Sequence, residues 1–388
     1  MNRLQPDYYD TFTCIAGDCP ITCCQEWKIA VDDDTARHWK NLAPPEDVEI
    51  QKKNLNAYTI RKDGERVIGL TPDHKCPFLN RNKLCKLVCT YGDTVLSATC
   101  QDFPREFLRF RTHEEASLMA ACPAVVDLWR KLGTLTFPEP ARSDLSSERT
   151  QILFRLRSES IRLLEDSRQA QRSLEEALLE LSYILQELNR ADSPEDTRVT
   201  EYFAPASRTQ LRRAMADIEL PPLDTLEECN ELLQDLAVNY RKEGLYPAYL
   251  DPVIARAEAL SDGYDPAVLS GQWAGFQKDF TAWRPLLYAY LENELYSGLL
   301  LPGSRPDLET LLLHLEWISL TYAVIRHSLF LVWLGNREAP LSYETVRNYL
   351  VILNRMTGYN EEDILEYLEN SFENPLWDWG YFALILGG

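Results

Sequence analysis

FTCIAGDCPITCCQEWKIAVD, Phe12 to Asp32, places four of the chain's ten cysteines within eleven residues: Cys14, Cys19, Cys23 and Cys24. Five more follow before residue 123, namely Cys76, Cys85, Cys89, Cys100 and Cys122, and only Cys229 lies beyond. Three chemistries could explain such a set. Disulfides need an oxidising compartment. MNRLQPDYYD has neither the apolar stretch nor the small-residue cleavage site of a secretory signal, so the expectation is a reducing, cytoplasmic setting. Independent buried thiols are ordinary, and Cys229 in LEECNELL reads that way. Nine in 122 residues is too dense for that explanation. Metal binding remains, because thiolates favour zinc or iron–sulfur centres.

The spacing of the thiols bears on which metal. Paired C-x₂-C knuckles, common in structural zinc sites, are missing. The ligand candidates are irregular and far apart, which suits an iron–sulfur cluster held by several loops at least as well as zinc. The C-x₃-C-x₂-C triad is absent too: Glu26 follows Cys19-x₃-Cys23, and Gly92 follows Cys85-x₃-Cys89, at the third place. Neither G-x-G-x-x-G, a P-loop nor H-E-x-x-H occurs, which disfavours a Rossmann-type dehydrogenase or methyltransferase. The five histidines, 38, 74, 113, 314 and 327, are scattered and read as surface or core residues.

Charge divides the chain as the cysteines do. Residues 1–131 carry 18 Lys+Arg against 19 Asp+Glu, and the remainder carries 22 against 41. Such acidity disfavours nucleic acid and suits a basic or amine-bearing partner. Residues 1–135 are expected to form an irregular cysteine-rich metal domain with little β, including a short strand at 67–70. Residues 136–388 are expected to form an acidic, all-α bundle of about seven or eight helices. Apolar residues recur at three- and four-residue steps from Ile152 through Leu156, Ile161 and Leu164, then Leu174, Leu178, Leu181 and Leu185. SPEDTR at 193–198 reads as a break. Further helices are expected at 206–218, 224–242, 251–261, 273–298, 307–334, 342–356 and 360–370. The apolar run from Leu311 contains His314, Glu316, Arg326 and His327, so it is read as a core helix and no membrane is expected.

Four blocks together resemble a known family. FTCIAGDCPITCCQEWKIAVD, CPFLNRNKLCKL, YGDTVLSATCQDFPR and SLMAACPAVVDL are similar, in order and character, to bacterial flagellin lysine-N-methylases. The first three also resemble a broader group of zinc- or iron-chelating domains with a CxxxCC signature. The likeness extends with lower specificity through the helices. It implies transfer of methyl groups from S-adenosylmethionine to lysine ε-amines of flagellin, with an iron–sulfur centre, 4Fe-4S, ahead of zinc. The residues matching the family's cysteines are Cys14, Cys19, Cys23, Cys24, Cys76, Cys85, Cys100 and Cys122; Cys89 stands as an extra.

Methyl transfer to an amine needs the neutral form, although lysine's ordinary pKa is about 10.4. An apolar or aromatic channel and a proton acceptor supply that condition. Polar candidates beside the cysteine blocks are Asp32, Tyr91, Asp102 and Arg105. Asp32 also stands where it would cap a helix beginning in DDDTARHWKNL. Arg105 could hold a carboxylate of donor or partner, or pair with Asp102 or Glu106. The metal is expected to hold loops more than to anchor the donor, since methyl displacement needs no redox step. The rival reading is a non-catalytic iron–sulfur or zinc protein acting as a redox sensor or partner-binding adaptor.

Overall fold

The computed structural model describes residues 2–62, 64–145, 147–191, 195–358 and 360–387. The chain begins with strand β1 (Asn2–Leu4), helix α1 (Asp33–Trp39) and the hairpin β2 (Thr59–Lys62) and β3 (Glu65–Ile68). Helices α2 (Lys86–Tyr91) and α3 (Ala98–Asp102) precede strands β4 (Arg105–Arg109) and β5 (His113–Leu118), then α4 (Pro123–Leu132). The bundle opens with α5 (Glu148–Gln169), α6 (Leu174–Arg190), α7 (Asp196–Phe203), α8 (Pro205–Met215), α9 (Pro222–Lys242) and α10 (Pro247–Asp262). It closes with α11 (Pro266–Phe280), α12 (Arg284–Gly298), α13 (Leu308–Gly335), α14 (Tyr343–Met356), α15 (Glu361–Ser371) and α16 (Trp379–Leu386).

The structure is mostly helical, as expected, with the few strands confined to the first third. From residue 136 onward there are twelve α-helices among the described residues, more than the expected seven or eight. The expected helix at 273–298 is two, α11 and α12, separated by the 3₁₀ turn Thr281–Trp283 with Pro285 in the first turn of α12. Proline lacks the N–H that would carry a helix through. Of the expected break at 193–198, Ser193 and Pro194 lie outside the described residues, and α7 begins at Asp196. The apolar run is the 28-residue α13, buried on nearly every face. It is long and apolar enough to cross a membrane, yet 83% of its most apolar window is buried inside the protein.

The N-terminal part holds more β structure than expected. β5 is central in a three-stranded sheet, parallel to β1 (Asn2 opposite His113) and antiparallel to β4 (Arg105 opposite Leu118). HEEASL does not read as a buried strand because a charged residue, Glu115, lies on its inner side. That carboxylate is bonded at both oxygens by Arg157 of α5, at 2.6 and 2.7 Å. The pair fastens sheet to bundle, and each side chain is 1% exposed or less.

Two hydrophobic cores result. A small one gathers Ile29, Val31, Trp39, Leu55, Tyr58, Ile68, Phe78, Leu87 and Val95. The large one runs through the bundle and draws in Tyr8, Phe12, Leu118, Cys122 and Trp129 from the first third. The early segment therefore has packing of its own, beyond what its sparse apolar residues lead one to expect. Cys76 belongs to the small core, with Cys24, Cys85 and Cys100 packed on its margin, while Cys122 belongs to the large one.

Candidate metal centre

Local structure brings the cysteines to one place. Asp32 caps α1 by accepting from the Thr35 amide (2.8 Å) and hydroxyl (2.8 Å), and it also accepts from the Ala98 amide at 3.0 Å. One carboxylate thus fixes the start of α1 against the start of α3, which carries Cys100. The Cys76 amide donates to the Cys24 carbonyl at 2.7 Å, which aligns the second cysteine block with the first. Lys83 Nζ donates to the Cys19 carbonyl at 2.8 Å.

Helix starts do the rest. Cys85 is the N-cap of α2 and Cys122 the N-cap of α4, and Cys100 lies in the first turn of α3. The backbone N–H groups of Val88 and Leu87 lie near the Cys85 sulfur, and those of Val125 and Ala124 near the Cys122 sulfur, and each lowers that thiol's pKa without closing a capping hydrogen bond. The Phe78 amide serves Cys76 similarly. Such N–H donors favour an anionic sulfur, as does the positive end of a helix.

Seven of the nine early cysteines share one electrostatic neighbourhood around Cys23, with Cys14 and Cys89 at its exposed edge. Cys19, Cys24, Cys76, Cys85, Cys100 and Cys122 each respond to its charge, Cys14 joins through Cys19, and Cys89 through Cys85. The Cys24 thiol donates to Cys23, which brings Cys23 down to about 7 against the opposing effect of burial and drives Cys24 well up. Burial pushes Cys100 to about 11 and Cys122 to about 12, and raises Cys19, Cys76 and Cys85. None of the ten cysteines is in a disulfide. Cys229 stands apart in α9, bonded to the Ile385 carbonyl at 3.3 Å.

A buried cation faces this set. Arg355, 6% exposed on α14, donates to the carbonyls of Ile21 (3.0 Å), Thr22 (3.2 Å) and Ala121 (3.0 Å). Those carbonyls flank Cys23 and Cys122, and the guanidinium acts electrostatically on Cys19 and Cys23. It also lies 5.1 Å from the Trp27 ring centre. Among the described residues no carboxylate forms an ion pair with it. Sequence reading missed Arg355. The available signal was its place four residues after Val351 and three after Ile352, on the apolar face of α14.

The donor chemistry fits a sulfur-ligated centre, since several thiols converge beside N–H donors and a buried cation. The side chains are nevertheless not closed into a cage. Among the described residues, no three His, Cys, Asp or Glu side chains are spaced to hold a metal ion.

The polar candidates scatter around this region. Both oxygens of Asp32 are engaged in capping, and although burial opposes it, the bonds from Thr35 and Ala98 hold its carboxyl below the usual range. Tyr91 ends α2 and donates to the Ala43 carbonyl at 2.7 Å. Asp102 is exposed at the end of α3. Arg105 lies 5.3 Å over the Phe12 ring, and it and Asp102 both act on Tyr9. Among the described residues Arg105 forms no ion pair with Asp102 or Glu106. Glu106 points to the opposite side of β4, where Ser117 donates to it at 3.2 Å.

Taken together, these features define a mostly helical protein with a convergent set of thiols at the seam of two cores. Its relatives include a flagellar protein and two lysine-N-methylases. The chain is 27% identical over 132 residues to the flagellar biosynthetic protein FliU of Salmonella muenchen, a match covering 31% of this chain and 72% of that one. It is 28% identical over 132 residues to the lysine-N-methylase of Salmonella typhimurium, and 28% over 129 residues to that of Salmonella choleraesuis. Each of the latter matches covers 31% of this chain but 30% of the relative. The resemblance seen in the cysteine blocks is thus shown over about a third of the chain. No protein-family model matches the chain, and no solved structure does.

Proposed function

We propose that this protein is a lysine N-methyltransferase that moves methyl groups from S-adenosylmethionine to lysine ε-amines of flagellin in the cytoplasm. The observation that carries the reading is the similarity to two proteins named lysine-N-methylase, together with a flagellar relative. The convergent thiols support it by supplying a reason for the cysteine blocks on which that similarity was first read.

In this reading four thiolates drawn from Cys14, Cys19, Cys23, Cys24, Cys76, Cys85, Cys100 and Cys122 ligate a 4Fe-4S centre, with zinc as the alternative, and the remaining thiols form a second site or stand around the first. Bound there, the group contributes binding energy that holds separate loops in one arrangement. The chain's own residues do the remainder. Arg355 offsets the negative charge that ligating thiolates accumulate, and the N–H groups at the starts of α2 and α4 stabilise individual sulfurs. Arg105 and Asp102 are the polar groups left at the rim to meet donor or substrate. Asp32 and Tyr91 act by fixing α1, α2 and α3 in place.

The test is direct. Anaerobically purified protein is incubated with S-adenosylmethionine and flagellin, and lysines are examined by mass spectrometry. Added methyl groups are expected on lysine; a flagellin mass unchanged at all time points removes the proposal. A non-catalytic metalloprotein that docks a basic partner is the second reading, favoured by the match reaching only 30% of each lysine-N-methylase.

A further inference from the structure

Behind the cysteine seam lies a cavity of about 150 Å³, walled by β4, the turn before α4, and helices α12, α13 and α14. Ala121, whose carbonyl Arg355 holds, and Asn354 beside Arg355 both line it, so cavity and thiols share a wall. Three hydrogen-bond acceptors lie on its lining. Glu106 of β4 and Glu294 of α12 are half-buried and close enough to repel one another. Among the described residues neither forms an ion pair. Glu106 accepts from Ser117 (3.2 Å), and Glu294 from Asn293 (3.3 Å). The third acceptor is His314, 3% exposed: its Nδ1 meets the Leu299 carbonyl at 3.1 Å, leaving Nε2 as a lone-pair acceptor with no partner among the described residues. Tyr290 and Trp317 supply aromatic surface.

Two half-buried carboxylates that repel one another when both are ionised, beside an orphan imidazole nitrogen, are costly without a cation. An ammonium has three N–H donors and one positive charge, which matches these three acceptors in number and the carboxylates in sign. Aromatic faces add cation–π attraction, and a cavity with room for several waters also admits a slim alkyl chain. Burial, reinforced by Glu106, lifts the Glu294 carboxyl to about 8, so a proton can rest there.

We propose that this cavity receives an alkylammonium group, the side chain of a substrate lysine, between Glu106, Glu294 and His314. The assignment rests on the lysine-methylation reading for the identity of the amine. One carboxylate then takes a proton from the ammonium and becomes a neutral acid, leaving a neutral amine with its lone pair free.

The experiment uses the full chain and no methyl donor. N-acetyl-lysine methylamide and its uncharged counterpart N-acetyl-norleucine methylamide are titrated by NMR into wild type, Glu106→Gln, Glu294→Gln and the double variant. S-adenosylhomocysteine is titrated as a separate arm, since the methyl donor also carries an amino group. Wild type is expected to bind the lysine probe roughly tenfold or more tightly than norleucine, and each variant to lose about tenfold, as for a charged hydrogen bond. Binding of S-adenosylhomocysteine should stay within twofold. Equal affinity for the two amides, undiminished lysine binding in the double variant, or loss confined to S-adenosylhomocysteine would each overturn the proposal. Melting temperature checks folding; removing mutually repelling carboxylates should leave it unchanged or raise it. Flagellin methylation is assayed in parallel. A wild type that discriminates the probes but never methylates retains the cavity assignment and loses the enzymatic one. Methylation that persists in the double variant does the reverse.

Discussion

Arg355 Nη2 donates to the Ile21 carbonyl at 3.0 Å, joining positions 334 residues apart. The same guanidinium reaches the Thr22 and Ala121 carbonyls, so a single side chain of α14 ties the first and last cysteine blocks to the bundle. Its buried positive charge acts on Cys19 and Cys23, and among the described residues it forms no ion pair with a carboxylate.

Replacing that residue should therefore affect both stability and metal. Arg355→Met leaves three backbone carbonyls without their donor and should cost about 2–4 kcal/mol in urea unfolding. Arg355→Lys keeps the charge but not the fork, and should recover part of the loss. Iron content after anaerobic purification should fall in the order wild type, Lys, Met. Equal content in all three would show that the cation has no bearing on the thiols.

Single Cys→Ser changes should sort the thiols. Cys23, Cys76, Cys85, Cys100 and Cys122 occupy the shared neighbourhood beside N–H donors, the Ser97 hydroxyl or the Arg355 field, and each serine should lower bound iron severalfold. Cys229→Ser lies in a separate part of the core and should leave iron unchanged. Cys89 is exposed on α2, and its serine variant should also behave as wild type. Metal analysis of the purified proteins decides.

The Glu115–Arg157 pair is buried and bidentate. Breaking it from one side leaves an uncompensated buried charge, so Glu115→Gln or Arg157→Met should cost about 3–5 kcal/mol. The double variant should be less destabilised than the two losses added together, which a double-mutant cycle in denaturant measures.

Glu316 gives a pH signature. It is 1% exposed on α13, its Oε1 accepts the Trp377 amide at 3.1 Å, and Oε2 has no partner among the described residues. Burial raises its carboxyl to about 9. A folded pKa above the unfolded value means that its contribution is whole below about 4.5 and is lost as pH rises through about 9. Glu316→Gln should thus match wild type near pH 4 and be more stable by roughly 2–4 kcal/mol at pH 8. A stability difference that does not change with pH would contradict this account.

Much of the bundle was legible because amphipathic spacing and caps are local signals. Asp32, Ser147, Ser173, Asp307 and Ser342 each cap a helix that sequence patterning also marks. The division of 273–298 into α11 and α12 was missed because apolar residues continue across the joint. The three-stranded sheet was hidden because its middle strand carries Glu115, whose charge is neutralised by a residue 42 positions away. The candidate site was half legible. The cysteine blocks announced themselves, whereas Arg355, Glu294 and His314 lie in helices where they look like isolated polar interruptions.

The sequence by itself determined that the protein is mostly helical and that sulfur is concentrated in its first third, since both follow from spacing and composition within short windows. Only the tertiary structure decided which groups meet. Folding brings Cys23 into the company of Cys76, Cys100 and Cys122, sets a cation from α14 among them, and leaves Glu106 opposite Glu294. The reason is physical: hydrophobic patterning specifies which face of an element is buried, but carries no record of which distant polar group will be buried against it.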